Sequence, residues 1–296
     1  MSIEAILLGT AQDGGLPHAA CTCRRCEAAR KDPARARGIA SLALVLPPVG
    51  ELPRQVLLID ASPDIRTQLD ALADVRDAPA DRTDRTPVDG VLLTQAHIGH
   101  YLGLAFFGFE AVNTQGLATY CTPRMAEFLR RNGPWSQLVS LGNLDLRPTE
   151  PGTPVDLGAG VTATALSVPH RDELSDTVGY LLRGPHRSLL YVPDTDSWSR
   201  WPRPLPEVLA GVDLALLDGS FYSLDELPGR DLSTVPHPLI TTTMDLLQPL
   251  VDAGRTQVYF THFNHSNPAL EPDSPARQAI EARGFHVLED GQELAL

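Results

Sequence analysis

Short apolar segments that end near a histidine or an aspartate recur along this chain, and they constrain its fold more than any other feature. Five such segments lie at 91–94, 162–168, 188–192, 212–217 and 257–261. Runs of this length, bounded by turn residues, are typical of buried strands. Because the ends of neighbouring strands meet at one edge of a sheet, we expect the polar residues that follow them to line one crevice.

The polar residues at these strand ends are of the types that bind transition metals. Nitrogen and oxygen donors suited to zinc, iron or manganese are offered by His97, His100, His170, Asp194 and His262. Each of them alone could be a helix cap or a turn residue. Together they predict a metal-dependent active site, with His97 and His100 on a loop between a strand and a helix that begins at Gly103.

The rest of the chain predicts a layered α/β fold. Further strands are predicted at 3–8, 41–46, 55–60, 118–121 and 178–182. Further helices are predicted at 24–31, at 64–72 and from Pro123, where Thr122 is the expected cap. The polar segment 74–89 predicts an exposed linker. A chain of 296 residues fits a single domain of this kind, spanning 1–296.

Charge and hydropathy exclude several classes of partner. The formal net charge of −13 argues against a surface that holds nucleic acid through phosphate contacts. The sequence has no run of about 18 apolar residues, the minimum for a membrane-spanning helix. Its first residues lack the basic flank of a signal peptide, so the expected location is the cytoplasm.

Three of the four cysteines lie within six residues, as Cys21, Cys23 and Cys26. In a reducing compartment this spacing suits a tetrahedral zinc ion that needs one further ligand. The alternative is a group of buried thiols that bind nothing. We favour a zinc knuckle at 21–26 and expect Cys121, at the end of an apolar strand, to be a small core residue.

These motifs together resemble the metallo-β-lactamase superfamily over nearly the full length of the chain. The segments that carry the resemblance are 7–15, 21–26, 94–100, 167–170, 193–195 and 261–265. Within the superfamily, the chain is most similar to the coenzyme PQQ biosynthesis protein B group, and a cyclic phosphodiesterase of phosphonate metabolism is one step further away. The resemblance implies an αββα sandwich: two mixed sheets packed face to face, helices outside and metals at the sandwich edge.

The central motif of that superfamily is His-x-His-x-Asp-His, and this chain departs from it at two positions. Gln95 stands in place of the first histidine and Gly99 in place of the aspartate. A glutamine amide is a weak metal ligand, so Gln95 reaches the first metal or only hydrogen-bonds to its water. Both departures remove a ligand, and two fully bound metals are therefore in doubt.

The resemblance implies roles for the positions that do match. It implies a first metal position at His97 and His170, a second at His100 and His262, and Asp194 as the carboxylate between them. It also implies that His265 is the fourth ligand of the cysteine-bound structural zinc. His237 is implied as a proton donor near the substrate, although a surface position in a proline-rich loop is an equal alternative.

Metal-assisted hydrolysis of a small ester, amide or phosphodiester is the first functional hypothesis, with Zn²⁺, Mn²⁺ or Fe²⁺ in the active site. The absent motif aspartate leaves Asp194, Asp218 or Asp13 to orient the nucleophile. Arg171 is a candidate clamp for an anionic substrate, and Asp13 and Gln95 are further candidate substrate contacts.

Two other functions remain open from the sequence. Two histidines and one carboxylate form the donor set of non-haem Fe(II) oxygenases, and the resemblance to the PQQ-biosynthesis group points the same way. A protein that only binds a ligand, with the cysteine zinc stabilising its fold, is the third reading. The expected partner is a small-molecule substrate. For Trp135, with Pro134 and Leu138, we favour packing in the core, and the alternative is an exposed apolar lip that supports a homodimer.

Overall fold

The computed structural model describes residues 3–75, 86–226 and 236–296. Its strands, in chain order, are β1 (Glu4–Gly9), β2 (Ser41–Leu46), β3 (Gln55–Ile59), β4 (Gly90–Leu92), β5 (Leu117–Cys121), β6 (Leu144–Pro148), β7 (Pro154–Gly158), β8 (Val161–Ser167), β9 (Val178–Arg183), β10 (Ser188–Val192), β11 (Leu214–Asp218), β12 (Gln257–Thr261), β13 (His286–Val287) and β14 (Glu293–Ala295). Its α-helices are α1 (Arg24–Lys31), α2 (Ile65–Ala71), α3 (Ile98–Tyr101), α4 (Pro123–Arg131), α5 (Trp135–Ser140), α6 (Leu205–Val208), α7 (Ile240–Asp252) and α8 (Pro275–Ala282).

The strands form two sheets of seven strands each. The order in the first sheet is β14-β1-β2-β3-β4-β5-β6, and the order in the second is β13-β12-β11-β10-β9-β8-β7. In the first sheet β1, β2 and β3 pair antiparallel, whereas β3 to β6 pair parallel. In the second sheet β7 to β10 pair antiparallel and β10 to β13 pair parallel. Both sheets are therefore mixed, as predicted.

The core lies in three layers, which shows how the sheets and helices pack. Leu44 of β2 and Ile59 of β3 share one buried cluster with Tyr180 of β9 and Leu216 of β11, so the two sheets pack face to face. The opposite face of the first sheet packs against α2, α4 and α5, and that of the second sheet packs against α1, α7 and α8. The strand β2 is buried at every position because both of its faces are covered. The αββα sandwich is confirmed.

Two details differ from the sequence-based predictions, and part of a third prediction lies outside the described residues. The helix expected to begin at Gly103 begins at Ile98, and a 3-10 helix continues it over Leu102–Phe107. A side chain at position 103 would have no room, since a Cβ there would lie 2.2 Å from the carbonyl oxygen of Ser62. The strands β6 and β7 lie in a segment for which the sequence predicted no strand. Residues 76–85 of the predicted linker 74–89 lie outside the described residues.

Trp135 and Leu138 are core residues, as the sequence favoured, and the alternative of an exposed apolar lip is wrong. Both side chains project from α5 into the core, where the indole ring packs against Tyr101 and Phe128. The large aromatic surface of the indole is better covered by these rings than by water. Cys121 is a buried core residue, as expected. Among the described residues, no helix has the length and apolarity needed to cross a lipid bilayer.

Candidate metal centres

The strand ends that carry histidine and aspartate do meet at one edge of the sandwich. His97 caps α3 after β4, and His100 lies within α3. His170 follows β8 and Asp194 follows β10, while His262 follows β12. The three last-named strands all belong to the second sheet, whereas β4 belongs to the first, so the cluster lies between the two sheets.

The first group that can hold a metal consists of His97, His170 and Asp194. Nδ1 of His97 lies 3.2 Å from Nε2 of His170, and this Nε2 lies 3.0 Å from Oδ2 of Asp194. Two ligand atoms bound to one transition metal, each about 2.1 Å away, lie about 3.0–3.4 Å apart. The three side chains therefore already have the spacing that a shared cation requires.

The second group consists of Asp13, His100 and His262, and Asp194 lies beside it. Nε2 of His100 is 3.8 Å from Oδ1 of Asp13 and 3.8 Å from Oδ2 of Asp194. Three atoms here are buried and have no hydrogen-bond partner in the described part of the chain: Nε2 of His100, Nε2 of His262 and Oδ1 of Asp194. Leaving buried polar atoms without partners is costly, and a bound cation would satisfy all three. The residues present fit a metal.

The protonation states of the clustered side chains suit a bound metal cation. Burial alone would raise the pKa of Asp194, but the imidazoles of His262, His170 and His237 hold it well below its usual value. Burial lowers the pKa of both His97 and His262, so each offers a neutral ring nitrogen. Burial would lower the pKa of His100 as well, but the adjacent Asp60 carboxylate outweighs it and raises the value to about 9. The pocket therefore stabilises positive charge.

Three histidines of the cluster each have a partner that fixes the ring. Nδ1 of His100 lies 2.7 Å from Asp60, and Nδ1 of His170 lies 2.8 Å from Asp196. Nδ1 of His262 lies 3.2 Å from the hydroxyl of Ser220. Such partners set the tautomer and direct the other ring nitrogen toward the metal.

The sequence marked the loop that begins at Asp60 as a candidate site loop, without a specific role, and gave no role to Asp196 or Ser220. Their position near strand ends was the available signal: Asp60 directly follows β3, Ser220 is two residues after β11 and Asp196 is four residues after β10. Asp60 is fully buried with a positive φ of 67°, and it accepts hydrogen bonds from the amide and the hydroxyl of Thr94. A strained, buried carboxylate at a strand end is typical of a functional site.

Gln95 lies behind the cluster and not in the cleft. It is 1% exposed, its amide nitrogen donates to Oδ2 of Asp194 at 2.7 Å, and its oxygen accepts from Thr177 at 3.3 Å. Both ends of the amide are therefore used within the protein. This placement differs from the expectation that Gln95 contacts the metal or the substrate, and it makes Gln95 a residue that positions Asp194.

The cleft at this edge has a volume of about 320 Å³, and its lining includes Asp13, Arg171 and His237. Nδ1 of His237 donates to Asp218 at 2.9 Å and lies 3.5 Å from Asp194. Asp218 is fully buried and also accepts from the backbone amides of Thr195 and Ser220. Any effect of Asp218 on chemistry in the cleft is therefore transmitted by His237. Arg171 is largely exposed and pairs with Glu173 at 3.1 Å.

The cysteine knuckle meets the end of β12 at a second candidate site, formed by Cys21, Cys23, Cys26 and His265. Nδ1 of His265 lies 3.7, 3.7 and 3.6 Å from the three sulfur atoms. A tetrahedral zinc with bonds of about 2.3 Å to sulfur and about 2.0 Å to nitrogen requires S···N separations of about 3.6 Å. Burial raises the pKa of the Cys26 thiol to about 12, so this thiol needs a cation in order to ionise. The four residues fit a closed zinc site.

Comparisons with known proteins identify the family of this chain. Residues 55–263 match the family described as β-lactamase superfamily domain. Coenzyme PQQ synthesis protein B of Methylobacterium nodulans is 30% identical over 99% of this chain and 100% of that protein. The crystal structure of Zn²⁺-bound PqqB from Methylobacterium extorquens superposes with a TM-score of 0.80 at 27% identity, covering 99% of this chain and all of that one.

A more distant structure extends the likeness of fold. A diphosphatase of the PhnP family superposes with a TM-score of 0.67 at 20% identity over 100% of this chain and 98% of that one. At this identity the match concerns the fold alone. The family match and the full-length relatives lead to one conclusion: the chain belongs to the metallo-β-lactamase superfamily and, within it, to the branch of coenzyme PQQ synthesis protein B.

Proposed function

We propose that this chain is a metal-dependent hydrolase of a small-molecule ester or phosphodiester, with two adjacent metal positions that share Asp194. The observation that carries the proposal is the convergence of three buried, unpaired ligand atoms, from His100, His262 and Asp194, beside the group of His97 and His170. Divalent metal ions bound there supply an activated water and a Lewis acid for the bond that breaks.

The chain's own residues supply binding and proton transfer. A cleft of about 320 Å³ suits a small molecule, and Arg171 at its wall offers a guanidinium to an anionic group. His237 lies at the same wall, with Nδ1 held by Asp218. Held in this way, His237 can give a proton to the leaving group. Gln95 keeps the Asp194 carboxylate in place from behind.

A second candidate function is oxidation by non-haem iron. The first metal position has two histidines and one carboxylate, which is the donor set of Fe(II) oxygenases. Relatives that match the whole chain carry the name coenzyme PQQ synthesis protein B, and a synthetic pathway can require an oxidation as well as a hydrolysis. The residues of the cleft would then position the substrate, with Arg171 again its anion contact.

Metal content and oxygen uptake together discriminate between the two functions. The protein is purified without oxygen, its metals are counted by mass spectrometry, and it is reloaded separately with Zn²⁺, Mn²⁺ and Fe²⁺. Turnover of bis(p-nitrophenyl) phosphate by the zinc or manganese form without oxygen uptake supports hydrolysis. Oxygen uptake by the iron form alone supports the oxidase. A chain that binds only the cysteine zinc and turns nothing over refutes both.

Replacing His237 with glutamine tests its proton transfer. Burial would lower the pKa of His237, but the Asp218 carboxylate outweighs it and raises the value to about 9. The wild-type rate should therefore fall as pH rises through about 9, because the donor loses its proton. We expect His237→Gln to lower kcat by about 10²–10⁴-fold and to remove this alkaline fall. A variant that keeps the alkaline fall would contradict this role.

A further inference from the structure

The departure at Gly99 leaves the second metal position without the carboxylate that the superfamily motif supplies. Two histidines, His100 and His262, remain there, and the Asp194 carboxylate lies at its boundary with the first position. A cation bound by two imidazoles and one shared carboxylate lacks an oxygen ligand that it has in the motif. A complete set of ligands requires an oxygen donor from another part of the chain.

Asp13 occupies the space directly beside Gly99. A Cβ atom at position 99 would lie 2.1 Å from Oδ1 of Asp13, 2.8 Å from its Cγ and 3.0 Å from its Cα. Real atoms do not approach so closely, so an aspartate cannot occupy position 99 while Asp13 holds its observed place. The carboxylate of Asp13 fills the volume into which the side chain of a motif aspartate would project.

Asp13 also has the position of a ligand. Its Oδ1 lies 3.8 Å from Nε2 of His100. Ligand atoms of Asp13, His100 and His262 all lie within 4.8 Å of one another. The facing Nε2 atoms of both histidines are buried and have no hydrogen-bond partner among the described residues.

The loop that carries Asp13 is fixed against the segment that carries His262. The amide of Phe263 donates to the carbonyl of Thr10 at 2.8 Å, and the amide of Gln12 donates to the carbonyl of Phe263 at 3.0 Å. The Gln12 side chain donates to Ser220 at 2.8 Å, and the same hydroxyl contacts Nδ1 of His262. Asp13 is therefore held in register with His262 by the backbone that immediately precedes it.

We propose that Asp13 is the carboxylate ligand of the second metal position and that it replaces the motif aspartate lost at Gly99. The ligand has moved from the start of α3 to the loop after β1, and glycine at 99 provides its space. The position then has two nitrogen donors and the oxygens of Asp13 and Asp194, a set that suits a divalent zinc, manganese or iron ion. This inference rests on the proposed metal-dependent function, and it names a ligand within it.

The relocation can be tested by moving the ligand back. The variants are Asp13→Gly, Asp13→Asn, Gly99→Asp and the double variant Asp13→Gly/Gly99→Asp, and Asp172→Asn serves as the exposed control. Each chain is stripped of active-site metal while its cysteine zinc is retained, and it is then titrated with Co²⁺. Metal per chain is counted, and the visible absorption of cobalt reports its coordination.

We expect Asp13→Gly and Asp13→Asn each to weaken binding at one cobalt position by at least about 10-fold, the lower bound for losing even an outer partner of a ligand. Gly99→Asp alone should also weaken cobalt binding, because the new aspartate side chain would collide with Asp13. The double variant should bind within about threefold of wild type and recover its spectrum. Asp172→Asn should bind as wild type does.

Wild-type cobalt binding by Asp13→Asn would overturn the assignment, as would a folded double variant that binds no better than Asp13→Gly. Because Asp13→Asn keeps the shape of the side chain, it decides the question even if the glycine variants fail to fold. The readout needs no turnover. A chain that passes this test but hydrolyses nothing would refute the proposed function and leave the ligand assignment standing.

Discussion

Replacing Asp194 with asparagine is expected to weaken both active-site metal positions at once and to lower turnover by more than about 10²-fold. Its Oδ2 lies 3.0 Å from Nε2 of His170 and 3.8 Å from Nε2 of His100, so one carboxylate faces both positions. An amide keeps the size of the group but loses its charge. Metal counting after dialysis and steady-state kinetics measure the two effects, and the cysteine zinc should remain at one per chain.

The control for this variant is Asp218→Asn, which removes a buried carboxylate of the same cluster. Both carboxylate oxygens of Asp218 accept hydrogen bonds from backbone amides, and one contacts His237. Asp218 lies within 4.8 Å of ligand atoms of Asp194 and His262, but it belongs to neither the group of His97 nor the group of His100. We expect Asp218→Asn to keep both metals while turnover falls. Equal metal content in Asp194→Asn and wild type would show that Asp194 is not a shared ligand.

The second large effect concerns stability. Cys26→Ala should lose the structural zinc, because Cys26 is the buried ligand of a closed site that joins the N-terminal loop to the end of β12. Structural zinc binding is worth about 10–16 kcal/mol in small zinc-finger peptides. A loss of about 5 kcal/mol in this larger chain corresponds to a fall in the thermal midpoint of about 10–20 °C. Scanning calorimetry with zinc counting measures both.

Cys121→Ala is the matched control for the cysteine variant. Cys121 is buried in the core of the first sheet and belongs to no metal group of the described residues. It should keep its zinc and lose only the modest stability that a small core truncation costs, about 1–2 kcal/mol. The closed site would be refuted if Cys26→Ala retained its zinc and had the same thermal midpoint as Cys121→Ala.

The sequence predicted the sheets well because the strands are buried on both faces. Segments such as β2 and β11 are apolar at nearly every position, and that pattern needs no knowledge of distant neighbours. The edge strand β14 has only three residues, Glu293–Ala295, and forms because β1 offers a free edge for it. Nothing local in those residues distinguishes a strand from a turn.

The candidate site was predictable in its residue types and not in its geometry. The histidines at strand ends were visible in the sequence, since topology alone brings such ends together. The role of Gln95 was not visible in the sequence, because it depends on where Asp194 lies, and 99 positions separate the two residues. The match between Gly99 and Asp13 likewise depends on atomic clearances that no spacing rule contains.

The cysteine site joins residues that are 244 positions apart, Cys21 and His265. At about 5–20 residues per second, a ribosome needs roughly 12–50 seconds to travel between them. During that interval the three thiols of the nascent chain lack His265, the fourth ligand of their tetrahedron, and Asp13 has no His262 beside it. Thiols left in this state are exposed to oxidation and to competing metals. Correct metallation of this chain therefore depends on how well its thiols are protected until synthesis is nearly finished.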